Sequence, residues 1–530
     1  MFRVNLDRVY RIIGIGALFG ICVGGAPRAQ AQDAGTTSVA ELQQRVQDLE
    51  AVVRQLRDRP APQQALAAPV SSEPGNPAAA TLQPAALVNP GDDPPSAAVP
   101  GLAAGSGNLL PLSNFAGWNE GFFIQSCDRS FQLRITGQIQ SDFRGFLDDV
   151  DTSTTANAHV AGSPTTGSPD TFLIRRARLG IEATMFDYYE FRLLPDFAGT
   201  SISKSITDAY LNIHYWDDFQ VEAGKFKQPF SYEQLIQDRY VPTLERSMMD
   251  QLVPQRDEGI MLHGEHLLDN RFDYAVAVSN GDPNDSTLDA NNHKDFNGRV
   301  IVRPFNGPEG WEILHGLQFG MSGGVGVENE SLGTTASPPT ITTPATVTWF
   351  AYNTGVLANG VRDRMSPELA YFYHSFGLAS QYYRQNQELQ LTAKTPTVDV
   401  PISGYYVLTT YLLTGEQRHE YSQQIDPIRP FDPCAPLASP GAWEMVFRVD
   451  RLEVGDEAFN AKLASNTGTT NRSSSAATET TTGFNWYLNK WARTQFNWEH
   501  ADFASPVKIG NAPHSFTRED ALYTRLQIIF

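Results

Sequence analysis

The 530-residue chain has few cysteines, a deficit of basic residues, and no apolar run long enough to cross a membrane as a helix. Three cysteines cannot build a disulfide framework, which excludes a small stapled scaffold. Lysine and arginine number 40 against 59 acids, a formal charge of −19. Binding a polyanion needs a concentrated basic surface, and no such run exists, so nucleic acid is excluded as a partner. The apolar stretch "IIGIGALFGICVGG" is shorter than the roughly 20 residues of a spanning helix. It follows Arg3, Arg8 and Arg11 and precedes "RAQAQ", where Ala29 and Ala31 occupy the small positions of a cleavage site. This pattern predicts a secretory signal over residues 1–31, cleaved after Ala31.

Two non-globular segments follow. Val39, Leu42, Val46, Leu49, Val53 and Leu56 recur at alternating steps of three and four, which predicts a short coiled coil over residues 32–59. Its expected roles are self-association and contact with peptidoglycan or another envelope component. Residues 60–125, rich in Pro and Ala, are expected to form an extended solvated linker.

From residue 126 onward the texture has period two. In "FQLRITGQIQSDFRG" Phe131, Leu133, Ile135, Ile139 and Phe143 share one face, while Gln132, Arg134, Gln138, Gln140, Asp142 and Arg144 share the other. Similar alternation returns in "RARLGIEATMF", "DAYLNIHYW", "GYYVLTTYLL" and "WEMVFRVDRL", with no amphipathic helical pattern in competition. Many two-faced strands make either a soluble sandwich or a transmembrane barrel with lipid outside and a polar lumen. The charged inner parity and the aromatics at strand ends favour an all-β transmembrane antiparallel barrel over 126–530. "LYTRLQIIF" fits the final strand of such a barrel, with Phe530 as an assembly signal at the seam.

Several segments, in order, resemble the phosphate-selective porin O and P family: "FLIRRARLGIEATMFDYYEFRLLPDFA", "VEAGKFKQPFSYEQL", "LERSMMDQLVPQRDEGIML", "GYYVLTTYLLTGE" and "TTGFNWYLNKWARTQFNWEHADF". The resemblance implies about 16 strands, a homotrimer in outer-membrane lipid, and a third extracellular loop, here Phe226 to Glu258, folded into the pore as a constriction. It also implies cationic constriction residues. Arg239 stands just before "YVPTLERS", with Arg246 in the same loop and Arg175, Arg176 and Arg178 on a nearby strand as candidate anion-binding residues.

Charges of the other sign share that loop. Glu233 and Asp238 are constriction acids, and Asp238 is expected to neutralise Arg239. Residues 304–361 contain no lysine or arginine, so a basic funnel toward the constriction is missing. The function read from these features is a water-filled porin for passive diffusion of small polar solutes and ions, with at most modest anion selectivity. A phosphate- or polyphosphate-selective channel is the alternative, followed by an envelope tether and a lipid-hydrolysing barrel. No nucleophile–base arrangement is recognisable, so no enzyme is expected. His263 and His266 lack a third ligand at convincing spacing, and neither a metal nor a cofactor is expected.

Overall fold

A computed structural model describes residues 115–118, 121–147, 170–198, 206–281, 292–307, 311–328, 338, 340–468, 471–508 and 515–530. The expected signal, the coiled coil and most of the linker lie outside these residues. Sixteen strands follow one another in antiparallel order: β1 (Phe131–Phe146), β2 (Thr171–Met185), β3 (Tyr189–Pro195), β4 (Ile206–Trp216), β5 (Phe219–Lys227), β6 (Arg256–His266), β7 (Phe272–Ser279), β8 (Asp295–Val302), β9 (Leu317–Glu328), β10 (Leu357–Tyr373), β11 (Phe376–Gln390), β12 (Val398–Leu412), β13 (Ala442–Val454), β14 (Ala476–Asn489), β15 (Ala492–Val507) and β16 (Phe516–Ile529). Each pairs with the next, and β16 pairs with β1 from Ala521↔Phe146 to Ile529↔Gln138. The sheet therefore closes into a barrel, as the alternation implies.

Burial is inverted relative to a soluble protein. On β1, Gln140 and Asp142 are buried while Ile139 is 55% exposed; on β13, Glu444, Arg448 and Asp450 are buried while Met445 is 54% exposed. Polar groups facing a lumen and apolar groups facing outward are what a bilayer demands of a closed sheet. The two ends differ. One carries the tight turns 217–218, 374–375 and 490–491 together with one long connection, 413–441, and the other carries most of the long loops, which fixes the tight-turn end as periplasmic. Aromatic pairs gather there, including Tyr188 on Tyr215 and Trp443 on Trp486.

The sheet starts at Ala116 rather than at residue 126. A hairpin of Ala116–Trp118 and Phe122–Gln125 pairs with β1 at Gln132 to Ile135, below the point where β16 ends. Phe530 closes the gap between hairpin and seam, exchanging hydrogen bonds with Gly137 and packing near Trp118 and Phe122.

The lumen is not uniformly polar. Along β10 to β13 inward positions include Ala379, Tyr383, Val400, Ile402, Tyr406 and Leu408, all buried. They form a core with Phe230, Met248 and Leu252 of the loop after β5, Trp349 and Phe350 of the loop after β9, and Tyr421 of the long connection after β12. The expectation of an all-polar inner face is corrected on this side, because loops that fold inward need apolar surface to pack against. The basic-residue desert accounts for part of this plug. Residues 341–342 and 348–350 pair inside the barrel, and Trp349 and Phe350 are fully buried.

Candidate functional site

With one half of the lumen filled, the open half runs beside the loop spanning 228–255. Lys227, the last residue of β5, aims its ammonium at the carbonyls of Gln234 (2.6 Å) and Ile236 (2.8 Å), the end of the one-turn helix Tyr232–Leu235. A cation at the carbonyl end of a helical turn holds it in place. The Ser247 amide donates to Glu233 at 3.0 Å, which ties the start of the loop to its end.

Two carboxylates then fasten the loop to the wall. Asp238 meets Arg246 at 2.7 Å, Arg176 at 3.3 Å and Arg178, which also reaches Asp196 at 2.8 Å. Glu245 meets Arg144 at 2.7 Å, Arg175 at 2.7 Å and Arg525 at 3.0 Å. Burial alone would raise both carboxyls. The guanidiniums prevail, with Arg176, Arg178 and Arg246 holding Asp238, and Arg175 and Arg525 holding Glu245, well below the ordinary carboxylate range. Asp250 behaves in the opposite way. Burial pushes it up to about 7, although Arg246 pulls it down.

A β-bulge supplies the second arginine of this wall. Gln140 of β1 pairs with Arg176 while its neighbour Ser141 pairs with Ile174, so Arg175 is the extra residue of β2. Without the bulge Arg175 and Arg176 would face opposite sides; with it both side chains reach acids of the inner loop.

Four of the five expected anion-binding residues, Arg175, Arg176, Arg178 and Arg246, are thus engaged by carboxylates. Glu233 is turned toward Ser247 and Arg448. The expectation that Asp238 neutralises Arg239 is corrected, because Asp238 points to Arg176, Arg178 and Arg246 instead. Arg239 stands apart from both clusters. Its Nε donates to Gln237 Oε1 at 2.8 Å, and its guanidinium lies 5.0 Å over the Tyr240 ring.

Arg239 lines a narrow cavity of about 170 Å³ together with Arg192, Asp208, Tyr210, Glu222 and Arg256. Arg192, Tyr210, Glu222 and Arg239 also line a wider cavity of about 1220 Å³ that reaches the periplasmic turns, so the two spaces share a wall. A ladder of alternating charge climbs the wall beside them: Arg134 to Glu182 at 2.6 Å, Glu182 to Arg192 at 3.3 Å, Arg192 to Asp208 at 3.4 Å and Asp208 to Arg256 at 2.5 Å. The ladder holds three guanidiniums and two carboxylates, and Arg239 adds a further positive charge to the same passage. Arg134 and Glu182 lie on the inward parity of their strands and Arg256 falls in the expected constriction segment, so of the ladder only Arg192 and Asp208 went unnoticed in the sequence. The cross-strand pairs Arg134↔Glu182 and Glu182↔Arg192 that align them depend on register.

The family model described as "Phosphate-selective porin O and P" matches residues 133–530. Porin O of Pseudomonas aeruginosa is 23% identical over 437 residues, covering 77% of this chain and 91% of that protein. Among solved structures, the outer membrane channel DcaP of Acinetobacter baumannii is 11% identical with a TM-score of 0.44, over 77% of this chain and 99% of that one. OmpT of Vibrio cholerae, expressed in the outer membrane, is 12% identical with a TM-score of 0.43, over 77% and 100%.

Proposed function

The chain belongs to the phosphate-selective porin O and P family, and from that premise we propose that this outer-membrane channel passes small polar solutes and ions by diffusion, with a modest preference for anions. The observation that carries the preference is the charge of the narrow passage. Although the whole chain has a formal charge of −19, the narrow cavity is lined by Arg178, Arg192, Lys227, Arg239 and Arg256 against Asp208, Glu222 and Asp238, five cationic side chains to three carboxylates. Selectivity is set where fixed charges are least screened, so these few groups outweigh the distant acids.

A phosphate-selective channel is the second reading, favoured by the family description and by the likeness to Porin O. Tight phosphate binding needs several guanidiniums or ammoniums converging on one anion. Here Arg175, Arg176, Arg178 and Arg246 already serve Asp238 and Glu245, which supports the weaker preference. We read the barrel as a channel and not an enzyme, with no cofactor.

A trimer suits the wall heights. A membrane-crossing strand needs about 9–11 residues, yet β3 has 7 and β7 and β8 have 8 each. A low wall of this kind calls for cover by neighbouring subunits, as the family resemblance implies. Reversal potentials in a potassium chloride gradient test the selectivity. A channel that favours potassium at neutral pH and does not respond to Arg239→Glu would count against it.

A further inference from the structure

Of the seven arginines buried among the described residues, six meet a carboxylate at 2.7 to 3.3 Å: Arg144, Arg176, Arg364, Arg418, Arg448 and Arg525. Arg493, only 4% exposed, forms no such pair. A buried charge is ordinarily paired, because the hydration it loses is recovered only from an opposite charge. The odd arginine therefore calls for a counter-ion.

Arg493 is the second residue of β15, just past the tight turn 490–491, and it shares the inward parity with Gln495 and Asn497. Its Nη2 donates to Gln527 Oε1 at 3.3 Å, its guanidinium lies 6.0 Å from the centre of the Tyr487 ring, and its Nε is buried without a partner. Both neighbours are neutral. Gln527 Oε1 also accepts from Gln140 at 2.6 Å, and the Tyr487 hydroxyl donates to Glu444 at 2.7 Å, a carboxylate that Arg418 already holds at 2.9 Å.

The residue lines a small cavity of about 20 Å³ together with Arg239 and Lys490, and no aspartate or glutamate among the described residues borders it. Gln527 links the two arginines, its Nε2 donating to the main-chain oxygen of Arg239 at 3.0 Å while its Oε1 faces Arg493. Gln424, from the long connection after β12, closes one side and donates to the Lys490 carbonyl. Arg239 and Trp491 also line the wider cavity, so the small one shares a wall with it. A water-sized occupant needs about 10–15 Å³. The space thus suits one small sphere and is too small for a tetrahedral oxyanion.

We propose that Arg493 and Arg239 together hold a halide-sized monoanion, chloride or bromide, and that Arg493 is a second specificity-determining residue of the channel. The ion takes the place of the carboxylate that Arg493 lacks. Guanidinium groups are weakly hydrated, which favours a halide over a more strongly hydrated phosphate. Conduction needs a site attractive enough to enter and weak enough to leave; Arg493 supplies the attraction on the β15 wall, and Arg239 belongs to both this cavity and the narrow passage. The inference rests on the channel reading and deepens it by naming the size of the preferred anion.

Two measurements on the full protein test it. Anomalous diffraction from bromide-soaked crystals is expected to show a peak between the guanidinium groups of Arg239 and Arg493 that is lost in Arg493→Gln. In single-channel recording in potassium chloride, Arg493→Gln is expected to lose conductance several-fold at low salt and little at high salt, with a reversal potential shifted toward cations. Arg493→Lys, which keeps the charge, should retain most of the low-salt conductance, as a merely structural role for the guanidinium would not predict. If Arg493→Gln fails to fold, the wild-type bromide peak and Arg493→Lys still decide the matter. Wild-type crystals without bromide at this site would overturn the proposal. So would a peak that survives Arg493→Gln, or a low-salt conductance unchanged in that variant, each leaving the channel itself intact. Absence of any wild-type conductance would instead count against the channel reading, and the bromide peak would still report on the site.

Discussion

Gly137 and Phe530 exchange two main-chain hydrogen bonds, of 2.7 and 2.9 Å, and the Phe530 ring lies so close over Gly137 that a Cβ there would sit 2.2 Å from it. This pair ends the seam between β16 and β1, and Trp118 and Phe122 of the short hairpin pack around the same ring. Phe530 is therefore built into the closure of the barrel, and the glycine opposite it is required by the ring.

Gly137→Ala is accordingly expected to impair barrel closure by displacing the ring. Phe530→Ala removes aromatic packing worth about 1–2 kcal/mol for a partly exposed side chain. In the double variant the added methyl meets no ring, so the two costs should be clearly less than additive. Urea unfolding in lipid vesicles, followed by tryptophan fluorescence, gives the cycle; strict additivity would show that the contact does not limit closure.

Asp238→Asn removes the charge that three buried guanidiniums share. Breaking buried pairs of this kind costs about 3–5 kcal/mol, and the loop spanning 228–255 should loosen, seen as noisier and larger single-channel currents. Quiet, wild-type currents from Asp238→Asn would show that the loop is held by other contacts.

Acid should act on the same anchor. The folded-state values of Asp238 and Glu245 lie well below their ordinary values of 3.8 and 4.5, so unfolded carboxyls bind protons first. Their contribution is complete above those ordinary values and is lost as pH falls through the depressed folded values. Loop noise should therefore rise only in strong acid. Asp250, raised to about 7, has the opposite sign: its contribution is present at low pH and fades as pH rises through about 7. Asp250→Asn is thus expected to be neutral or slightly stabilising above pH 7, checked by the same urea titration. A large loss there would mean that its charged form is the one the loop uses.

Trp349 is fully buried against the inward-folded loops. Trp349→Ala is expected to cost about 3–5 kcal/mol and to raise conductance by loosening the plug on the β10 to β13 side. Unchanged conductance together with lower stability would place the plug outside the ion path.

The barrel was legible because a bilayer imposes a strict rule. Period two with Gln140 and Asp142 on one parity and Ile139 on the other admits few alternatives, and the strand beginning at Phe131 lies where the alternation places it. The lumen was much less legible. Arg175 breaks parity through a bulge, Asp238 chooses wall arginines over its neighbour Arg239, and the charge ladder exists only because strand register sets Arg134, Glu182 and Arg192 side by side. The stretch 304–361 was informative only as an absence of charge. Its apolar residues read as loop content, because nothing local marks Trp349 and Phe350 as the core of a plug inside a pore.

The most direct test of the central claim, a weakly anion-preferring channel governed at Arg239, is single-channel recording in chloride with added phosphate, for wild type and Arg239→Glu. The account predicts an open channel with modest chloride preference at neutral pH, little or no block by low phosphate, and a reversal potential shifted toward cations in Arg239→Glu. Chloride current strongly blocked by low phosphate, or a reversal potential unchanged by Arg239→Glu, would contradict it.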